Sequence, residues 1–166
     1  GGDDGTVRIW DWASGKELRA MKGRGAGIVY SLSFSPDGKS IASAGSDALV
    51  HFWDVASGIE RGVLSGHQSE INAVAYNADG SALASASGDG TVRLWDALAN
   101  RERSVLTGHT GAVHALAFWP NGRTICSAGA DGTIRLWDTS TASERTTLSG
   151  HSGAVWAIAL SSDASL

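Results

Sequence analysis

An all-β fold of repeated antiparallel sheets is predicted by three features of the 166-residue chain. The pair Trp-Asp recurs at Trp10-Asp11, Trp53-Asp54, Trp95-Asp96 and Trp137-Asp138, spaced by 43, 42 and 42 residues. Gly-His recurs in a second fixed register, at Gly66-His67, Gly108-His109 and Gly150-His151, each glycine 13 residues after the preceding tryptophan. Between these marks lie short apolar or small-residue runs separated by Gly, Asp, Asn and Ser turns, without helix caps. A period in the forties that keeps two registers means one structural unit copied along the chain.

Each unit reads as four strands of about five residues. The first is an apolar run such as Val113-His114-Ala115-Leu116-Ala117-Phe118, closed by a turn such as Ser35-Pro36-Asp37-Gly38. The second is a small-residue run such as Leu83-Ala84-Ser85-Ala86-Ser87, closed by Asp89-Gly90; the third ends at Trp-Asp, and a fourth completes the unit. The strands at 71–76 and 92–95 carry apolar residues on both faces, which a sheet tolerates only when both faces are covered. Identical sheets stacked around an axis meet that demand. The small residues Ala73, Ala75, Ala115, Ala117, Ala157 and Ala159 suit an innermost strand, where space tapers. The predicted architecture is a β-propeller of four-stranded antiparallel blades, here an incomplete arc of three full blades with partial blades at both ends.

With these motifs the chain resembles the WD-repeat family, whose unit of about 40 to 45 residues runs from Gly-His to Trp-Asp. The resemblance covers essentially the whole sequence. It implies blade strands ordered a to d from the axis outwards, with Gly-His in the loop joining strand d to the next strand a. On that template residues 1–22 give strands c and d of one blade, residues 23–65, 66–107 and 108–149 are whole repeats, and residues 150–166 begin a further one. Family rings usually close with seven blades and sometimes eight, so the chain is expected to be a window of a larger protein. The missing blades would come from the same polypeptide or from another chain. Two copies forming an eight-bladed ring is a lesser alternative, and a ring of four from this chain a weaker one still.

Composition narrows the function classes. Hydrophobic residues make up 42% and charged ones 18%, with 22 glycines, 2 prolines and 7 tryptophans, which fits neither a disordered chain nor a charged coiled coil. The net charge of −4 and the absence of any Lys/Arg cluster give no support for nucleic acid or an acidic membrane as partner. The lone Cys126 allows no internal disulfide framework, no apolar stretch reaches the length of a membrane span, and the opening Gly1-Gly2-Asp3-Asp4-Gly5 has no signal-peptide pattern. A reducing, cytoplasmic setting is expected.

Each of the two units that begin with Gly-His and run to Trp-Asp contains a Ser, a His and an Asp in register: His67, Ser85 and Asp89 with Trp95, then His109, Ser127 and Asp131 with Trp137. The same residue types serve serine hydrolases, but a nucleophile needs an open site with an oxyanion pocket, and these positions lie on strands sandwiched between sheets. The resemblance implies a hydrogen-bonded network that locks each blade, so no catalytic residue is assigned. The unit from Gly23 departs from the pattern: Arg24 stands where His is expected while Ser43, Asp47 and Trp53 keep their places. That blade is expected to lack the full network, with Arg24 either reaching Asp47 or pointing outward. His151 has its loop but no later Ser, Asp or Trp.

No metal or cofactor is expected. His109 and His114 are five apart, and His51 and His67 lack partners at a ligand spacing. The turns at Gly88-Asp89-Gly90 and Gly129-Ala130-Asp131-Gly132 lack the Lys and the helix of a phosphate loop. Cys126, beside Ile125 on a strand, reads as a packed thiol.

Binding is expected at the rim of the channel. The family template directs the residue after the first apolar residue of strand a to the top opening, which maps to Tyr30, Asn72, His114 and Trp156. These four differ while their flanks repeat, as a specific and asymmetric surface requires, and Tyr and Trp are favoured anchors. Flanking positions are mostly small, with Glu70 and Asp3 the charged ones, which argues against a pocket for a strongly acidic peptide. Trp12 and Trp119 occupy turns where sister units have Val55, Ala97 or Thr139, and Ser35, Asn77 or Ser161; they map to the opposite face, either to anchor a neighbouring domain or to cover strand ends.

The leading functional expectation is a non-catalytic interaction scaffold or sensing module that binds a protein or peptide. The regular Gly-, Ala- and Ser-rich units are similar in style to those of bacterial signalling proteins linked to a switch ATPase, a kinase or an effector. Two alternatives stay open: a propeller enzyme with His114 in the channel, and a purely structural subunit of a large assembly.

Overall fold

The computed structural model describes residues 1–23 and 27–161. Fourteen strands form one two-stranded and three four-stranded antiparallel sheets, and the described residues contain no helix. The first sheet pairs β1 (Thr6–Trp10) with β2 (Glu17–Lys22). The second is β3 (Val29–Phe34), β4 (Ser40–Gly45), β5 (Val50–Asp54) and β6 (Glu60–Leu64) in chain order. The third is β7 (Ile71–Tyr76), β8 (Ala82–Ser87), β9 (Val92–Asp96) and β10 (Arg101–Leu106). The fourth is β11 (Val113–Phe118), β12 (Thr124–Gly129), β13 (Ile134–Asp138) and β14 (Ser143–Leu148).

The sheets pack face to face. Ala42, Ala44, Val50, Phe52 and Leu64 of the second sheet meet Ile71, Val74, Leu83 and Trp95 of the third. Ala84, Ala86, Val92, Leu94 and Leu106 of the third meet Val113, Ile125 and Trp137 of the fourth. Val7 and Met21 of the two-stranded sheet pack on Ile41 and Trp53 in the same way. Burial of both faces explains why β4, β8 and β12 read as continuous small and apolar runs without alternation. These are incomplete β-propeller blades in an open arrangement.

The turns are built by sequence. Aspartates at the b–c turns cap the following amides: Asp89 accepts from the Thr91 amide at 2.9 Å and Asp131 from the Thr133 amide at 3.0 Å. The next turn residue adopts positive φ, supplied by Gly5, Gly90 and Gly132 in three sheets and by Ala48, at φ 62°, in the second. At the other end Asp54, Asp96 and Asp138 cap the c–d turns through the amides of Ser57, Ala99 and Ser140.

Residues 150–166 were expected to begin a further repeat with its innermost strand; 162–166 lie outside the described residues, and none of 150–161 joins a sheet. Among the described residues no strand b is available to pair with them. The segment is held instead by Val155, whose amide donates to the Gly129 carbonyl at 3.0 Å.

Candidate functional site: a locked core and a variable rim

Each four-stranded sheet contains a buried polar lock. In the third sheet Trp95 Nε1–H donates to Ser85 Oγ at 2.8 Å, Ser85 Oγ lies 2.8 Å from His67 Nε2, and His67 Nδ1 lies 2.8 Å from Asp89 Oδ2. The fourth sheet repeats it with Trp137, Ser127, His109 and Asp131 at 2.8, 2.9 and 2.9 Å. One neutral imidazole satisfies every member: Nδ1–H donates to the carboxylate and Nε2 accepts the serine proton.

Burial, with a smaller contribution from the positive charge of Arg93 and Arg135, lowers the affinity of His67 and His109 for a proton. It outweighs the opposing pull of Asp89 and Asp131 and leaves both imidazoles below their ordinary value. For Asp89, desolvation would raise the carboxyl, but hydrogen bonds from the Gln68 amide, the Thr91 hydroxyl and His67 prevail and hold it at about 2. Asp131 is depressed for the same reasons.

The connectivity Ser–His–Asp is that of a hydrolase triad, but the surroundings exclude that chemistry. Ser85 and Ser127 are 0% exposed, and each hydroxyl oxygen already accepts the indole N–H. No substrate carbonyl can approach, and the buried polar groups are there to satisfy one another.

The second sheet solves the same problem differently. Trp53 Nε1–H donates to Ser43 Oγ at 2.7 Å, and Asp47 Oδ2 lies 2.8 Å from Nε2 of His51, on the neighbouring strand β5. This sheet lacks the full network: no hydrogen bond joins Ser43 to His51, so the Trp–Ser pair and the His–Asp pair are separate, and His51 reaches the turn from inside the sheet. Arg24, expected to reach Asp47 or point outward, lies outside the described residues.

A further recurring pair escaped the sequence reading. Two residues before each Trp of the Trp-Asp pairs a basic side chain faces a glutamate on strand d: Arg8–Glu17 at 2.7 Å, Arg93–Glu102 and Arg135–Glu144, with His51–Glu60 in the second sheet. The constant spacing of nine residues was the signal available for it.

The antiparallel order places the starts of the a strands and the b–c turns at one end of the sheets, and the a–b and c–d turns at the other. At the first end His114 and Trp156 stack, with ring centroids 4.0 Å apart and planes 17° off parallel. Trp156 is 70% exposed and Tyr30 48%. Asn72 is half-buried, and its amide donates to the Val113 carbonyl at 2.9 Å, which ties the third sheet to the fourth. Glu70 is half-buried; the Ser69 hydroxyl donates to its carboxylate and lowers its proton affinity.

At the opposite end the two predicted tryptophans part company. Trp12 is 94% exposed on the β1–β2 turn. Trp119 is half-buried and lines an apolar cavity of about 550 Å³ with Cys126, Ile134, Leu136 and residues of the 155–161 segment. Desolvation pushes the Cys126 thiol up to about 11, a packed and unreactive state. Among the described residues no cluster of three or more His, Cys, Asp or Glu could hold a metal ion. No helix of the described residues is long and apolar enough to cross a membrane.

The repeated locks, Trp-Asp pairs and stacked sheets agree with a comparison to known families. The family described as WD domain, G-beta repeat (WD40) matches residues 15–54, 58–96, 100–138 and 142–166. The chain belongs to the WD40 repeat family. Its first three matched segments run from strand d of one sheet to the Trp-Asp of the next, so the family repeat is offset from the sheet by one strand. Among curated proteins, the chain is 35% identical over 71 residues to Protein tipD of Dictyostelium discoideum, an overlap covering 43% of this chain and 11% of tipD. The chain thus matches about a ninth of that relative's length. WD40 repeat domains generally mediate protein–protein interactions and are generally non-catalytic.

Proposed function

We propose that this WD40 array is a non-catalytic scaffold that binds a peptide segment of a partner protein at the end of the sheets where the a strands begin. The observation that carries the reading is the exposed Trp156 stacked on His114, at a position where the sister units carry Tyr30 and Asn72. The locks beneath are repeated and closed, whereas this rim varies from unit to unit. His114 is fixed on β11, and stacking on it gives Trp156 a partner that orients its exposed face for contact. Asn72 spends its amide on Val113, so at this rim it acts as a strut between sheets and leaves Tyr30, His114 and Trp156 as the anchors, with Glu70 as the charged flank.

A sensing role within a larger signalling protein belongs to the same proposal, supported by the regularity of the units; the tipD match does not bear on linkage to an ATPase. So does a reducing, cytoplasmic setting, supported by the buried free thiol of Cys126.

Selection of binders from a random peptide library tests the reading. Selected peptides should bind His114→Ala and Trp156→Ala at least about tenfold more weakly than wild type, a loss of about 1.4 kcal/mol, with unchanged melting temperatures. Equal binding by both variants would overturn it.

A further inference from the structure

The rim formed by the third and fourth sheets carries charge of one sign. Residues 66–161 contain no lysine, and their arginines are engaged or lie elsewhere. Arg93 and Arg135 face Glu102 and Glu144 on strand d. Arg101 and Arg103 gather on Asp96 and Arg145 on Asp138 beside the c–d turns, and Arg123 lies in an a–b turn, all at the opposite end. Where the a strands begin, these units place the carboxylates of Glu70, Asp89 and Asp131. A neutral imidazole satisfies each lock, so Asp89 and Asp131 keep a charge that no neighbouring cation cancels.

Glu70 is seated by its neighbours. The Ser69 hydroxyl donates to one carboxylate oxygen, and the missing side chain at Gly88 makes room for the other, since an added β-carbon there would lie 2.6 Å from Glu70 Oε1. The backbone bond from Gly88 to Glu70 recurs in the sister sheets between Ser46 and Ile28 and between Ala130 and Ala112, without a charge. Trp156 has one ring face covered by His114 and is 70% exposed, so its other face is open. It lies beside the turn that holds Asp131: the preceding Val155 amide donates to the Gly129 carbonyl, and the His151 carbonyl would lie 2.9 Å from a β-carbon at Gly132. The face of an indole attracts ammonium and guanidinium groups, and a carboxylate nearby adds to that attraction.

We propose, resting on binding at this rim, that the segment bound there is basic, a peptide whose lysine or arginine side chains meet the open face of Trp156 and the Glu70 carboxylate. A neutral peptide could cover Trp156, but it would also take water from Glu70 and return no donor of equal strength. An acidic peptide would meet Glu70, Asp89 and Asp131 with no cation between them, so the rim selects by repulsion as well as by attraction. The opposite end, where arginines and aspartates are interspersed, has no such preference.

Peptides selected from a random library on the full chain are first sorted by whether Trp156→Ala weakens them, which defines the rim binders. These should be rich in lysine and arginine, and replacing their basic residues singly by glutamine should cost at least one position about tenfold in affinity for the wild-type chain. Glu70→Gln, which keeps the size and an acceptor for the Ser69 hydroxyl, should weaken the same peptides at least about threefold at low salt, a difference that shrinks as about 0.5 M salt screens it. Rim binders that hold their affinity through the peptide replacements, or on Glu70→Gln, would overturn the proposal and leave binding at the rim standing. Binders uniformly indifferent to Trp156→Ala would overturn both. The peptide replacements are read on the wild-type chain, so that result does not depend on how a variant folds.

Discussion

Asp47 and His51 are four residues apart and meet across the b–c turn, Oδ2 to Nε2 at 2.8 Å. In the next two sheets the same aspartate position is met by a loop histidine 22 residues upstream. The repeat therefore preserves an interaction, an imidazole on the turn aspartate, and not the chain position that supplies it. The physical demand is plain: the turn carboxylate is nearly buried and needs a donor.

Ser85 is the hinge of its lock, because one hydroxyl serves both the Trp95 indole and the His67 ring. Ser85→Ala leaves two buried polar groups unpaired and should destabilise the chain by about 2 to 4 kcal/mol. Urea denaturation measures it, and Ser127→Ala should behave alike. A change below about 0.5 kcal/mol in both would remove the lock from the account of stability.

Acid should weaken the locks in two stages. His67 and His109 are held neutral in the folded chain by burial, while the unfolded rings titrate near the ordinary 6.5. Their contribution is present above that value and falls away as pH drops below it. The Asp89 carboxyl sits at about 2 against an ordinary 3.8, so a second loss follows as pH falls through that interval. Thermal melting at descending pH should show the first loss, and His67→Gln should shrink it. A melting temperature flat from about pH 7 to about pH 5 contradicts this.

Ala48 holds φ at 62°, where the equivalent residues Gly5, Gly90 and Gly132 hold 72°, 82° and 73°. An L-residue with a β-carbon is strained there by about 1 kcal/mol. Ala48→Gly should raise stability by about 0.5 to 1 kcal/mol, the reverse of the usual effect of glycine. A destabilised variant in equilibrium unfolding would show that the surroundings of Ala48 compensate the strain.

Ser31 and Ser33 on β3 accept hydrogen bonds from the Val74 and Tyr76 amides of β7, each at 3.1 Å. They satisfy donors on the free edge of an inner strand, which Ala73 and Ala75 cannot do for β11. Ser31→Ala should cost about 1 kcal/mol and raise exchange at the Val74 amide specifically. Unchanged exchange at Val74 would assign that amide another partner.

Periodicity made much of this legible. The two registers of Trp-Asp and Gly-His were enough for an all-β chain of four-stranded sheets, because a unit buried on both faces leaves a continuous apolar signature. The roles of Arg93 and Glu102 were not read, although their spacing recurs, because long charged side chains on strands look like solvated surface until their registers are compared. His51 was missed for a different reason. It occupies an arginine column and serves a histidine function, and only the geometry of β5 beside the turn brings it to Asp47. Trp12 and Trp119 shared a predicted face, but their environments diverged because the 155–161 segment covers one and nothing among the described residues covers the other.

The central claim is that partners are bound at the variable rim above the locked sheets. An amide and side-chain NMR footprint of a selected peptide on the full chain tests it most directly. The account predicts perturbations concentrated at Tyr30, Glu70, His114 and Trp156, with the strand-d edges and Trp12 unmoved. A footprint on the c–d turns around Trp12, or along the outer strands, would contradict it.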